Sequence, residues 1–163
     1  VLKGHSDVVC SVAVQGDTIV SGSRDKTVRI WNATSGEEQH VLKGHSDRVY
    51  SVAIQGDTII SGSDDKTVRI WNATSGEEQH VLEGHSDAVC SVAVQGDIIV
   101  SGSEDKTVRI WNATSGEEQH VLKGHSDLVS SVVIQGDTIV SGSYDRTVRI
   151  WNATSGEVQH VLK

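Results

Sequence analysis

The chain has 163 residues, and its 14 Lys and Arg stand against 22 Asp and Glu, for a formal charge of -8. That balance repels phosphate backbones, the dominant source of nucleic-acid affinity, and argues against nucleic acid as a partner. No stretch approaches the ~20 apolar residues of a membrane span and no signal-peptide pattern is present, so the expectation is a soluble, cytoplasmic protein with no membrane partner.

The sequence repeats with a period of forty residues. The stretch VLKGHSDVVCSVAVQGDTIVSGSRDKTVRIWNATSGEEQH recurs from Val41, Val81 and Val121, giving units of about 1–40, 41–80, 81–120 and 121–163 in one repeat domain, with Val161–Lys163 opening a fifth copy. Within the first unit, Val8 to Val14 is a β-rich run, and Gln15-Gly16-Asp17 supplies the glycine of a tight hairpin. Thr18 to Ser23 is the second strand, Asp25-Lys26 interrupts, and Thr27 to Trp31 is the third. Ala33 to Gly36 is a turn and Glu37 to Leu42 the fourth strand. The apolar spacing has period two, with Val28 and Ile30 on one side and Thr27, Arg29 and Trp31 on the other, which disfavours helix. The fold class is therefore all-β, with four antiparallel strands per unit. One such sheet cannot bury both faces, so neighbouring units must cover it.

The pairs Gly4-His5 and Trp31-Asn32, with Ser21-Gly22-Ser23 and Asp25 between them, resemble WD40 repeats, and the forty-residue period agrees. The resemblance spans all four copies and implies four four-stranded propeller blades. It departs in two places: Asn stands for the Asp of the Trp-Asp pair, and the Gln15-Gly16-Asp17 hairpin is shorter than the common one. The resemblance further implies a hydrogen-bonded network in each blade. Its members would be His5, Ser21, Asp25 and Trp31, then His45, Ser61, Asp65 and Trp71, then His85, Ser101, Asp105 and Trp111, and last His125, Ser141, Asp145 and Trp151. Ser23 competes with Ser21 for the serine role.

A Ser, a His and an Asp in every unit also invite a hydrolase reading. Fourfold repetition opposes it, because a catalytic constellation needs one pocket with an oxyanion site. His40 and His45 lack the further convergent ligands of a zinc site, and no phosphate-binding glycine motif occurs, so neither metal nor cofactor is expected. Cys10 and Cys90 lie two blades apart, beyond disulfide reach, and should be free thiols.

Thirty of the forty repeat positions are the same in all four copies, which gives the differences weight. Three positions change character. Position 8 carries Val8, Arg48, Ala88 and Leu128, position 10 carries Cys10, Tyr50, Cys90 and Ser130, and position 24 carries Arg24, Asp64, Glu104 and Tyr144. An up-and-down sheet places all three at the same end of the blade. Tyr and Arg there are residue types that dominate interfaces, so this end is a candidate partner-binding face for a peptide or protein. Relaxed packing at loop ends accounts equally well for the variation.

Four blades fall short of the seven or eight that this family usually closes. A two-fold pair of half rings would bury both open blade faces, which predicts a homodimer forming an eight-bladed propeller. A compact four-bladed ring would demand a large re-angling of close-packed interfaces. The near-identity of the copies also fits an amplified or engineered array whose only activity is self-assembly. In each reading the protein is not an enzyme.

Overall fold

The computed structural model describes residues 1–163 as sixteen strands with no helix. The first sheet is β1 (Val9–Gln15), β2 (Thr18–Ser23), β3 (Thr27–Asn32) and β4 (Glu38–Lys43). The second is β5 (Val49–Gln55), β6 (Thr58–Ser63), β7 (Val68–Asn72) and β8 (Glu78–Leu82). The third is β9 (Val89–Gln95), β10 (Ile98–Ser103), β11 (Val108–Asn112) and β12 (Glu118–Leu122). The fourth is β13 (Val129–Gln135), β14 (Thr138–Ser143), β15 (Val148–Asn152) and β16 (Val158–Leu162). Each is antiparallel with strands in chain order. The sheets thus begin eight residues into the repeat, and residues 44–48 carry the chain from one blade to the next.

Local chemistry explains the turns. Gln15 pairs with Thr18, so Gly16 and Asp17 alone close the first hairpin, and Gly16 has φ +56° at the first central position, the place a II′ turn reserves for glycine. The β2–β3 loop ends on a left-handed residue that is not glycine: Lys26 has φ 70°, with its N–H bonded to the Ser23 carbonyl at 3.2 Å. Composition gives no hint of this, since lysine carries no preference for that region.

Between blades, Val20, Val28, Ile30 and Leu42 of the first pack against Val49, Val52, Ile59 and Trp71 of the second. Equivalent clusters join blades two and three, and three and four. The packing is close enough to fix a glycine: a Cβ on Gly22 would lie 2.8 Å from Val49 Cγ1. Side chains stitch the same interface. Ser11 Oγ accepts the Val52 N–H at 3.1 Å, Gln15 Oε1 accepts the Gly56 N–H at 2.8 Å, and the His40 ring donates to the Thr74 carbonyl at 2.9 Å.

The arc does not close on itself. Val12 is 68% exposed, whereas Val52 is 6% and Val132 3% exposed. At the other end Leu162 is 52% exposed where Leu42 and Leu82 are 2%. A cavity of about 470 Å³ opens on the first blade between Leu2, Val9, Val12, Ile19 and Trp31, the surface a preceding blade would cover.

Candidate functional site

The expected network residues meet in every blade. In the second, His45 Nδ1 lies 2.8 Å from Asp65 Oδ2 and His45 Nε2 lies 2.7 Å from Ser61 Oγ, while Trp71 Nε1 donates to that Oγ at 2.8 Å. His5, Ser21, Asp25 and Trp31 repeat this in the first blade. So do His85, Ser101, Asp105 and Trp111 in the third, and His125, Ser141, Asp145 and Trp151 in the fourth. A ring with its proton on Nδ1 satisfies all partners at once: it donates to Asp65 and accepts the Ser61 hydroxyl, whose oxygen takes the indole N–H.

Ser21 and its counterparts hold the serine role. Ser23 acts elsewhere, accepting the Asp25 N–H at 3.0 Å and donating to the Asp7 carbonyl at 3.3 Å. Thr67 is a network member that sequence reasoning missed: its N–H and hydroxyl both reach Asp65 Oδ1, at 3.0 and 2.7 Å. An Asp-x-Thr spacing is the signal, since an Asp side chain readily takes the N–H two residues on. The connectivity matches a Ser-His-Asp triad, but Ser61 is fully buried and its oxygen is occupied by Trp71.

Burial alone would raise the Asp65 carboxyl, but bonds from His45 and Thr67 outweigh it and hold the group well below the usual carboxylate range. Asp25, Asp105 and Asp145 are depressed for the same reasons. A depressed folded pKa gives stability that is present in full above the unfolded value near 4 and is lost as pH falls through the folded one. Urea midpoints should therefore be flat from pH 7 to about 5 and fall steeply below about 4. A midpoint unchanged at pH 3 would contradict this network.

The two departures from the Trp-Asp repeat are a single device. Asn32 Nδ2 donates to Asp17 Oδ2 at 2.8 Å, Thr34 Oγ1 donates to Asp17 Oδ1 at 2.7 Å, and Asn32 Oδ1 accepts the Thr34 and Ser35 N–H groups. An aspartate at 32 would face the Asp17 carboxylate; the amide turns repulsion into a bond. The fourth blade loses another pair. Arg29 bonds Glu38 at 2.5 Å, but Arg149 has Val158 at that place and instead lies 5.9 Å above the Trp151 ring.

The three variable positions share one end of each blade. Backbone bonds join position 24 to position 8: Arg24 to Val8, Asp64 to Arg48, Glu104 to Ala88 and Tyr144 to Leu128, each N–H to carbonyl at 2.9–3.0 Å. Position 10 is the extra residue of a β-bulge, because Val9 pairs with Ser23 and Ser11 with Gly22, leaving Cys10 unpaired. Tyr50, Cys90 and Ser130 occupy the same bulge. A bulge re-aims a side chain. It brings Cys10, Tyr50, Cys90 and Ser130 from four blades to one cavity of about 330 Å³, completed by Glu104, Leu128 and Tyr144.

Val8, Arg24, Arg48 and Asp64 lie outside that lining. Asp64 accepts the Tyr50 hydroxyl at 3.3 Å, and Val8, Arg24 and Arg48 are exposed on the surface around it. Ala88 corrects the sequence reading: it is buried, at 1% exposure, because a single methyl group stays below the surface that Val8 and Arg48 reach. Both thiols are free. Burial, then Glu104, Asp64 and Asp87, push the Cys90 thiol up to about 11. At pH 8 a maleimide should therefore modify exposed Cys10 well before Cys90. Equal rates in peptide mapping would contradict the placement of Cys90.

The family model for WD domain, G-beta repeat matches residues 1–32, 36–72, 76–112 and 116–152. The crystal structure of the computationally designed Ika4 protein superimposes with TM-score 0.89 and 30% identity, covering 93% of this chain and 95% of that one. The computationally designed Ika8 protein gives TM-score 0.92 and 28% identity over 97% of this chain but 50% of that one. WD repeat-containing protein pop1 of Schizosaccharomyces pombe is 52% identical over 40 residues, which is 24% of this chain and only 5% of pop1. The match, the forty-residue period and the four blades lead to one conclusion: the chain belongs to the WD40 family.

Proposed function

We propose that this protein is a non-enzymatic binding scaffold that holds a peptide or protein at the cavity where its four blades converge. One observation carries the reading. Every residue lining that cavity comes from the three positions at which otherwise near-identical repeats change character. Relaxed packing would scatter variation over exposed loop ends; it has no reason to gather it around a common opening. Replacing Tyr50, Glu104 and Tyr144 together by Ala should leave the urea midpoint unchanged and abolish capture of a partner from the native host. Undiminished capture of the same partner by the folded variant would overturn the choice of face.

We further propose that the arc closes by pairing with a second copy into an eight-bladed, two-fold ring. The two ends carry complementary halves of a contact already made three times within the chain. Val12, beside half-buried Ile19, is exposed toward the cavity at one end, and Val148 and Leu162 are exposed at the other. Polar groups match in the same way: Ser131, Gln135 and His160 occupy the repeat positions of Ser11, Gln15 and His40, whose partners lie on the following blade. A structure twice as long, half of which this chain covers, supports the same arrangement. Light scattering should give twice 17.5 kDa. A folded particle of 17.5 kDa would overturn the ring.

Similarity to Ika4 and Ika8 favours a second reading, an array with self-assembly as its only activity. Under it the ring forms but captures nothing.

A further inference from the structure

We infer that the convergent cavity receives a basic side chain, with arginine as the best-fitting occupant. The inference rests on the scaffold reading above and names the chemistry of its ligand. Size comes first. About 330 Å³ is at the floor of the ~300–1,000 Å³ that hold whole small molecules, and suits one long side chain presented by a peptide.

The lining then selects the kind of side chain. Glu104 is its only charged residue, and no Lys, Arg or His of the chain pairs with that carboxylate. Tyr50 and Tyr144 supply two aromatic rings, and Leu128 and the two cysteines an apolar wall. The Tyr50 hydroxyl donates to Asp64, which brings a second carboxylate to the edge of the cavity. A guanidinium uses all of these features: its alkyl stem lies on apolar wall, its plane stacks on a tyrosine, and its fork meets a carboxylate. A ligand carboxylate would instead meet Glu104 with Asp64 close behind, and a plain alkyl chain would leave Glu104 unpaired. The charges that act on the Cys90 thiol are those of Glu104, Asp64 and Asp87, all negative; Arg48 stands against Tyr50 and Asp64 at the rim, which leaves Glu104 as the carboxylate open to a ligand cation.

Two tyrosines are the only ones in the sequence, so their ring proton signals report on this cavity alone. The experiment titrates the intact protein with N-acetyl-arginine amide, its uncharged isostere N-acetyl-citrulline amide, and N-acetyl-norleucine amide, following those signals by NMR. Saturable shifts with the arginine compound, at least about 5-fold weaker binding of the citrulline compound, and a comparable loss in Glu104→Gln are expected. Equal binding of arginine and citrulline compounds, preferential binding of norleucine, or an unchanged arginine titration in Glu104→Gln would each overturn the inference, as would no shift with any of the three. The scaffold reading fails separately, when the Tyr50, Glu104 and Tyr144 triple variant still captures its partner.

Discussion

Asp65→Ala is expected to lower unfolding stability by about 3–5 kcal/mol, the cost of removing one member of a buried, multiply bonded group. The carboxylate side chain is 4% exposed and takes bonds from His45 Nδ1, the Ser46 N–H, and the Thr67 N–H and hydroxyl. Truncation strands those donors in a space that water cannot readily fill, and it also frees the ring that positions Ser61 beneath Trp71. The neighbouring Asp64→Ala is the control. That residue is half-buried and makes one side-chain bond, at 3.3 Å, so its loss should stay within about 0.5 kcal/mol. Urea denaturation of the two variants beside the parent measures both. A difference under about 1 kcal/mol between them would mean that the network decorates the blade and does not hold it. The acid limb of the parent should shrink in Asp65→Ala as well, because one of the four depressed network carboxyls is gone.

Most of this architecture is legible in the residues. Period-two alternation along Thr27–Trp31, with Gly16 and Gly36 in the first and third turns, places the strands to within a residue or so of β1 to β4. Repetition made every such reading fourfold redundant. What escaped depends on distance in space rather than along the chain. The bulge at Cys10 cannot be seen in a single strand, because it is a property of the pairing with β2. The Asn32–Asp17 bond joins the end of β3 to the β1–β2 turn, so the replacement of Asp by Asn looks arbitrary until the two meet at one end of the blade. Ala88 misled for the opposite reason: its position is variable and at the right end of the blade, and only side-chain length removes it from the surface. Variation marks where a surface is, and reach decides which residues present themselves on it.

Substitution of one glycine separates what holds the chain together from what joins two chains. A Cβ on Gly62 would sit 2.7 Å from Val89 Cγ1 and 2.9 Å from Val92 Cγ1, inside a blade interface, so Gly62→Ala should cost about 1–3 kcal/mol of folding stability by overpacking. Gly142 holds the same repeat position in the last blade, yet an added Cβ there meets nothing within 4 Å. Gly142→Ala is therefore expected to leave the stability of the single chain within about 0.5 kcal/mol of the parent. In a closed ring the same methyl group would press on Val9 and Val12 of the partner, as a Cβ on Gly22 would press on Val49 and Val52. A two-fold ring has two such seams, so the strain counts twice, about 2–6 kcal/mol in all, and the dimer dissociation constant should rise at least about 30-fold. Sedimentation velocity across a dilution series reads that shift directly. A Gly142→Ala chain that is folded and associates like the parent would mean that the ring is closed by some other surface. A variant that dissociates while keeping its urea midpoint in the dilute, single-chain limit would place the seam on the face that β14 leaves open.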